Sequence, residues 1–215
     1  MKNFLVDKHK AILNIAAGKF VPIGFFEATN NPYFMKHFLV HLDPMYYSDC
    51  KPEHIETSYT EWLNNYKKMA FLCPLDAYEY MERTAIKFDH VSIYRFLEHV
   101  SFTKVPYFIY LVSTLLEKGG IVDVIVPNYE TLADMIRDED PLDPAGGNFE
   151  AHNIFLTTEL LNEPSCPHAS IWTPNRMKYF WELEGRFKLK EINNNFDFDG
   201  RDIYIRAIME RVWMD

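Results

Sequence analysis

Short apolar runs alternate with amphipathic segments along this chain, and this alternation constrains the fold more than any other feature. Five apolar runs lie at Ala11–Ala16, Phe38–Leu42, 68–72, 90–93 and 121–126. Each ends at small, polar or proline residues, as strands buried on both faces of a sheet do. The sequence therefore predicts a mostly parallel sheet.

Helical segments separate and follow these runs. Segment 105–118 has apolar residues at helical spacing, and Gly119-Gly120 beyond it predicts a helix stop. Thr173 and Pro174 provide an N-cap and a first-turn proline for a helix over 175–184. A third helix is predicted over 52–66.

The C-terminal part predicts a β-hairpin. Segments 187–192 and 203–209 are extended and partly alternating, with Asp199-Gly200 in their connection. The whole pattern predicts an α/β fold: a Rossmann-like, seven-stranded, mostly parallel sheet with a C-terminal antiparallel β-hairpin and helices on both faces. We expect a single domain over 1–215, with a polar, lid-like insertion at about 137–167.

Charge and cysteine usage exclude several classes of protein. The net charge is −9 and no basic stripe is present, which disfavours nucleic acid as a substrate. Three cysteines without a C-x-x-C pair argue against a disulfide framework and a zinc site. No apolar run is long enough to span a bilayer, so a cytoplasmic protein without membrane partners is expected.

One histidine pair has the spacing of metal ligands. His37 and His41 would share one face of a helix, but this segment is predicted to be a strand, in which they lie too far apart for one ion. No metal is therefore expected.

A set of motifs in the middle of the chain resembles a known family. In order, it consists of Phe88-Asp89-His90-Val91, Phe96-Leu97-Glu98-His99-Val100, 115–120 ending in Gly119-Gly120, and 124–128 (VIVPN). This set resembles the central block of class I S-adenosylmethionine-dependent methyltransferases. The resemblance implies S-adenosyl-L-methionine as the cofactor, bound at the carboxyl ends of the strands.

The resemblance also implies roles for residues after each strand. Those in the place of the glycine-rich loop are Asn14, Ala16, Ala17 and Gly18. In this loop the chain departs from the family, because Asn14 replaces a common acidic residue, Ala16 a glycine and Phe20 another glycine.

Further cofactor contacts are implied after the second, third and fourth strands. Asp43 would accept hydrogen bonds from the ribose hydroxyls, because a carboxylate offers two oxygens to two donors. Pro44 is a further implied contact, and Met45 and Tyr46 would pack on the adenine edge, with surface or core packing as the alternative. Asp76 would contact the adenine amino group, unless it is a solvated loop residue, and Leu75 or Ala77 would border the ring. Tyr94 and Arg95 would line the methionine side.

Two histidines are candidate general bases. Histidine suits proton removal near neutral pH, and His99 and His152 both lie in segments expected near the acceptor. A structural role for the Glu98-His99 pair remains an alternative. The sequence thus predicts a methyltransferase for a small-molecule or glycan acceptor; the alternative is a catalytically silent domain that binds the cofactor or a partner protein. A nucleotide-binding oxidoreductase is disfavoured because no G-x-G-x-x-G is present.

Overall fold

The structure is a computed structural model that describes residues 10–16, 38–42, 50–65, 69–73, 75–137, 168–198, 200 and 202–212. The described strands form one seven-stranded sheet in the order β3-β2-β1-β4-β5-β7-β6. They are β1 (Ala11–Ala16), β2 (Phe38–Leu42), β3 (Met69–Cys73), β4 (Phe88–Tyr94), β5 (Leu116–Pro127), β6 (Phe187–Phe196) and β7 (Tyr204–Arg211). Strands β1 to β5 pair in parallel, and β7 pairs antiparallel with both β5 and β6.

Five α-helices and one 3-10 helix are described. They are α1 (Pro52–Asn65), α2 (Ala77–Arg83), the 3-10 helix Leu97–His99, α3 (Val105–Leu115), α4 (Tyr129–Arg137) and α5 (Pro174–Glu182). The cap predicted for α5 is present, because the Thr173 side chain accepts a hydrogen bond from the backbone N–H of Arg176.

Helices cover both faces of the sheet. Val124 of β5 packs in the large core with buried residues of α1, α2, α3 and α5, whereas the next residue, Ile125, packs with Tyr129 and Leu132 of α4. Successive side chains of a strand point to opposite faces. The mixed α/β class, the mostly parallel sheet and the antiparallel hairpin are therefore confirmed.

An aromatic cluster fixes α1 against the outer strands. The buried Phe38 ring of β2 lies 5.2 Å from Tyr59, 5.8 Å from Trp62 and 5.4 Å from Phe71, centroid to centroid. Edge and tilted contacts at these distances are favourable beyond the apolar area they bury. The start of β2 is thus anchored from both the helix and the neighbouring strand.

The predicted boundary between the helix over 105–118 and the strand after it was wrong. The helix predicted over 105–118 ends at Leu115, and Leu116 already belongs to β5, which includes Gly119 and Gly120. Gly119 has φ +72, and a Cβ on Gly120 would lie 2.9 Å from the Glu117 carbonyl oxygen. The two glycines thus allow a shift of register between β4 and β5, instead of ending the helix.

The predicted insertion at 137–167 lies outside the described residues from 138 onward. Among the helices that the structure describes, none has the length and apolar character needed to cross a membrane.

Candidate functional site at the carboxyl ends of the strands

The strand order reverses direction between β1 and β4. From β1 the chain proceeds outward through β2 to β3, and then crosses to β4 on the other side of β1. Such a switch point opens a crevice at the carboxyl ends of parallel strands, where ligands of α/β proteins bind. Ala16 and Tyr94, both predicted cofactor residues, are register partners at this point.

Four polar residues on neighbouring strands form a row across the sheet, near the switch point. His41, Asn14, Ser92 and Asp123 are successive register partners on β2, β1, β4 and β5. Within the described part of the chain, the buried Oδ1 of Asn14 has no hydrogen-bond partner. A buried acceptor of this kind is costly unless a ligand or water satisfies it.

The side chains of Tyr94 and Arg95, at the end of β4, contact different strands. The Tyr94 hydroxyl donates to Asp123 Oδ2 over 3.0 Å, and burial raises the pKa of Tyr94 above its usual value. Its side chain is therefore engaged on β5. Arg95 has φ 53, its N–H donates to the Ile125 carbonyl oxygen, and its guanidinium lies 5.8 Å from the centroid of Tyr204. Left-handed backbone at a residue other than glycine is unusual, and such strain is concentrated at functional sites.

Asp76 caps helix α2. Its Oδ1 accepts hydrogen bonds from the backbone N–H groups of Tyr78, at 2.9 Å, and Glu79, at 3.3 Å. The side chain is exposed, whereas the neighbouring Ala77 is buried. The cap accounts for one carboxylate oxygen, and the predicted adenine contact would use the other.

A cluster of ionisable side chains lies beyond β4. Glu98, His99 and His168 each bring one ligand atom to within 4.8 Å of the others, and the two imidazole rings are 4.9 Å apart in an edge-to-face arrangement. Glu98 is fully buried, and neither of its carboxylate oxygens has a hydrogen-bond partner among the described residues. Burial raises the pKa of Glu98 to about 7, while the electrostatic influence of its own backbone N–H and of the Arg95 charge opposes that shift.

Backbone hydrogen bonds hold the cluster together. The N–H groups of Ala169 and Ser170 both donate to the Glu98 carbonyl oxygen, at 2.8 Å and 3.0 Å. The Ser170 hydroxyl and the Trp172 indole N–H donate to the Leu97 carbonyl oxygen. Segment 168–172 is thereby fixed against the 3-10 helix.

Tyr129 adds a contact from the end of β5. Its hydroxyl is hydrogen-bonded to Nδ1 of His168, and its backbone N–H donates to the Trp172 carbonyl oxygen. Sequence reasoning missed both Tyr129 and His168, since no local pattern connects them to Glu98. Only the folded chain brings these segments together.

Several predicted site residues lie outside the described residues; they are Ala17, Gly18, Asp43, Pro44, Met45 and His152. The structure does describe the strands that precede two of these groups. β1 ends at Ala16 and β2 ends at Leu42, next to each other in the sheet.

Comparison with known proteins identifies the fold. No family model and no curated protein sequence matches this chain. A solved S-adenosylmethionine-dependent methyltransferase from Methanosarcina mazei does match, with a TM-score of 0.57 at 13% identity, over 98% of this chain and 96% of that one. The chain has the class I methyltransferase fold.

Further methyltransferases share this architecture. The N-methyltransferase NodS from Bradyrhizobium japonicum matches with a TM-score of 0.51 at 10% identity, over 95% of this chain and 88% of its own. The 1,6-didemethyltoxoflavin-N1-methyltransferase from Burkholderia thailandensis was solved with bound 1,6-didemethyltoxoflavin and S-adenosylhomocysteine. It matches with a TM-score of 0.54 at 10% identity, over 95% of this chain and 72% of its own. In a chain with the methyltransferase fold, the switch point between β1 and β4 is the place to seek a ligand.

Proposed function

We propose that the protein binds S-adenosylmethionine at the switch point between β1 and β4 and transfers its methyl group to an acceptor. The observation that carries this proposal is the structural match to a methyltransferase over 98% of the chain. The ordered motifs from Phe88 to Asn128 support it independently, because they come from the sequence and not from the fold.

The described residues fit a ligand at this position. The buried Oδ1 of Asn14 lies two residues before the end of β1 and has no partner within the described part. An amide oxygen in that state suits a donor such as the ammonium group of the cofactor. The remaining proposed contacts are Ala16, Ala17, Gly18, Asp43, Pro44, Met45, Asp76, Ala77, Tyr94 and Arg95.

Methyl transfer requires the protein mainly to align the acceptor with the methyl group. S-adenosylmethionine supplies a methyl group on a positively charged sulfur, and the sulfur keeps the electron pair of the S–CH3 bond when an acceptor oxygen or nitrogen displaces it. Holding the acceptor in line can lower the barrier by roughly 7–11 kcal/mol. The protein's tasks are to orient the acceptor, to exclude water and to accept the proton that the acceptor loses.

His99 is the proposed proton acceptor among the described residues. It lies in the 3-10 helix after β4, at the edge of the sheet where the cofactor is proposed to bind. An imidazole has a proton affinity suited to this step near neutral pH. His152 is the second candidate.

We propose a small-molecule or glycan acceptor. The net charge of −9 opposes binding to a phosphate backbone. The Burkholderia enzyme, which shares the fold, was solved with the small molecule 1,6-didemethyltoxoflavin.

Calorimetric titration of the purified chain with S-adenosylmethionine and S-adenosylhomocysteine tests the proposal. Micromolar binding of both supports it, and methyl transfer is then measured against a panel of small hydroxyl and amine acceptors. Absence of binding at millimolar ligand would overturn it and favour a silent, partner-binding domain. Binding of both ligands without turnover on any acceptor would favour a silent domain that retains the cofactor.

A further inference from the structure

The cluster of Glu98, His99 and His168 contains a carboxylate that the fold leaves without a partner. Both oxygens of Glu98 are buried without a hydrogen bond in the described part of the chain. Burying a carboxylate in this way is expensive unless a proton or a cation compensates it. Packing alone therefore does not explain why a carboxylate is buried at this position.

The two imidazoles provide the rest of a ligand set. One ligand atom from each of the three side chains lies within 4.8 Å of the other two. In a tetrahedral site with ligands about 2.0 Å from the ion, neighbouring ligand atoms are about 3.3 Å apart. Small side-chain rotations would bring the three atoms to that separation.

The imidazole ring of His168 is already held in one orientation by a hydrogen bond to one of its nitrogens. Its Nδ1 is hydrogen-bonded to the Tyr129 hydroxyl, which fixes the plane of the ring and would leave Nε2 to act as the ligand of a metal. Histidines that bind metals usually make such an outer hydrogen bond, which sets the tautomer and the ring orientation. The paired backbone bonds from Ala169 and Ser170 to Glu98 hold the His168 segment in place.

We propose that Glu98, His99 and His168 form a binding site for one divalent transition-metal ion of the zinc type. Two imidazole nitrogens and one carboxylate oxygen suit zinc, cobalt or manganese, whereas magnesium prefers oxygen ligands alone. Three protein ligands leave a coordination position for water or a substrate atom, as in catalytic metal sites. The site lies beyond the carboxyl ends of β4 and β5. With an ion bound, His99 has no lone pair left for the proton of the methyl acceptor, so that role would pass to His152. The test of metal binding is independent of methyl transfer.

Metal binding by the full chain tests the proposal. After treatment with a chelator and dialysis, we expect the protein to bind one zinc ion with micromolar or tighter affinity, and to bind no magnesium at millimolar concentration. Cobalt in the same site would give the visible absorption of a four-coordinate ion, a signature that loosely bound surface metal does not produce.

Two variants and one control locate the site. Glu98→Gln keeps the size of the side chain and removes its charge, and His168→Gln removes one imidazole; each is expected to weaken zinc binding at least tenfold and to abolish the cobalt spectrum. His54→Gln, on the exposed side of α1, removes a histidine elsewhere and is expected to change neither. Circular dichroism confirms that each variant is folded.

Three results would overturn the proposal. They are the absence of zinc binding by the unmodified chain, unchanged zinc affinity in both site variants, and a loss of affinity in His54→Gln equal to that in the site variants. Since none of these measurements uses S-adenosylmethionine, failure of the metal site and failure of the proposed methyltransferase are distinguished.

Discussion

The carboxylate of Asp123 on β5 and the guanidinium of Arg206 on β7 form a paired contact between antiparallel neighbours. Arg206 Nε donates to Asp123 Oδ1 over 3.0 Å, and Arg206 Nη2 donates to Asp123 Oδ2 over 2.7 Å. The Asp123 side chain is 5% exposed and that of Arg206 is 18% exposed, so the pair is largely desolvated. The Tyr94 hydroxyl adds a third donor from β4. Three strands are thus tied together at one carboxylate.

Removing the charge of Asp123 is expected to destabilise the protein substantially. Asp123→Asn removes the charge with which the partly buried Arg206 is paired, and breaking a pair of this kind costs up to about 3–5 kcal/mol. Urea unfolding measures the change in the free energy of unfolding.

The matched control for this prediction is a more exposed pair that also includes a residue of β7. Lys190 and Glu210 form a salt bridge with side chains 49% and 32% exposed, so Glu210→Gln should cost less than about 1 kcal/mol. Equal losses in Asp123→Asn and Glu210→Gln would contradict the interpretation of the Asp123 pair.

Burial of His41 is expected to lower stability in mild acid. The lowered pKa of His90 acts in the same sense, and the raised pKa of Glu98 acts in the opposite sense. The His41 ring is fully buried, and burial lowers its pKa from 6.5 to about 4. The unfolded chain therefore takes up a proton as the pH falls through 6.5, while the folded chain does so only near 4. The stabilising contribution is present above pH 6.5 and is lost as the pH falls towards 4, by at most about 3 kcal/mol.

Replacement of His41 tests this origin of the acid sensitivity. His41→Gln should reduce the difference in unfolding free energy between about pH 7.5 and about pH 5, measured with urea. His54→Gln, at an exposed position, should leave that difference unchanged. If both variants retain the full difference, His41 does not cause it.

The Trp172 indole is expected to stabilise the segment that holds His168. Its N–H donates to the Leu97 carbonyl oxygen and to the Ser170 hydroxyl, and the side chain is fully buried. Trp172→Phe keeps most of the apolar volume but removes the donor, which should cost about 1–3 kcal/mol in thermal or urea unfolding. Ile171→Ala, at a residue 45% exposed, should change stability by less than about 1 kcal/mol. A comparable loss in both variants would speak against the role of these bonds.

Asp43 is expected to contribute to cofactor affinity. If its carboxylate binds the ribose hydroxyls, Asp43→Ala should weaken S-adenosylmethionine binding by about 1–3 kcal/mol, measured by calorimetry. Glu61→Ala, on the exposed side of α1, removes a negative charge away from the switch point and should leave the affinity unchanged. Unchanged binding in Asp43→Ala would contradict the assignment.

Local signals in the sequence were sufficient for several elements. The strand at Phe38–Leu42 has the predicted limits, and α5 begins at Pro174 after the predicted cap. In both cases the deciding information lies within a few residues: an apolar run of strand length, and a capping hydroxyl followed by proline. The class of the sheet followed from the order of such elements.

Longer-range relationships were decided only by the tertiary structure. Leu116 has helical spacing with the residues before it, yet it pairs with Phe88 in the sheet, because strand pairing outweighs a local helical preference at this point. The row from His41 to Asp123 depends on the register of four strands, and register is fixed by packing over the whole sheet. The contact of Glu98 with His168 likewise joins segments that are distant in sequence. The sequence by itself determined the periodicity of the elements and their order along the chain. Which side chains come into contact was decided only by the tertiary structure, because strand pairing and helix packing depend on contacts between segments and not on any one segment.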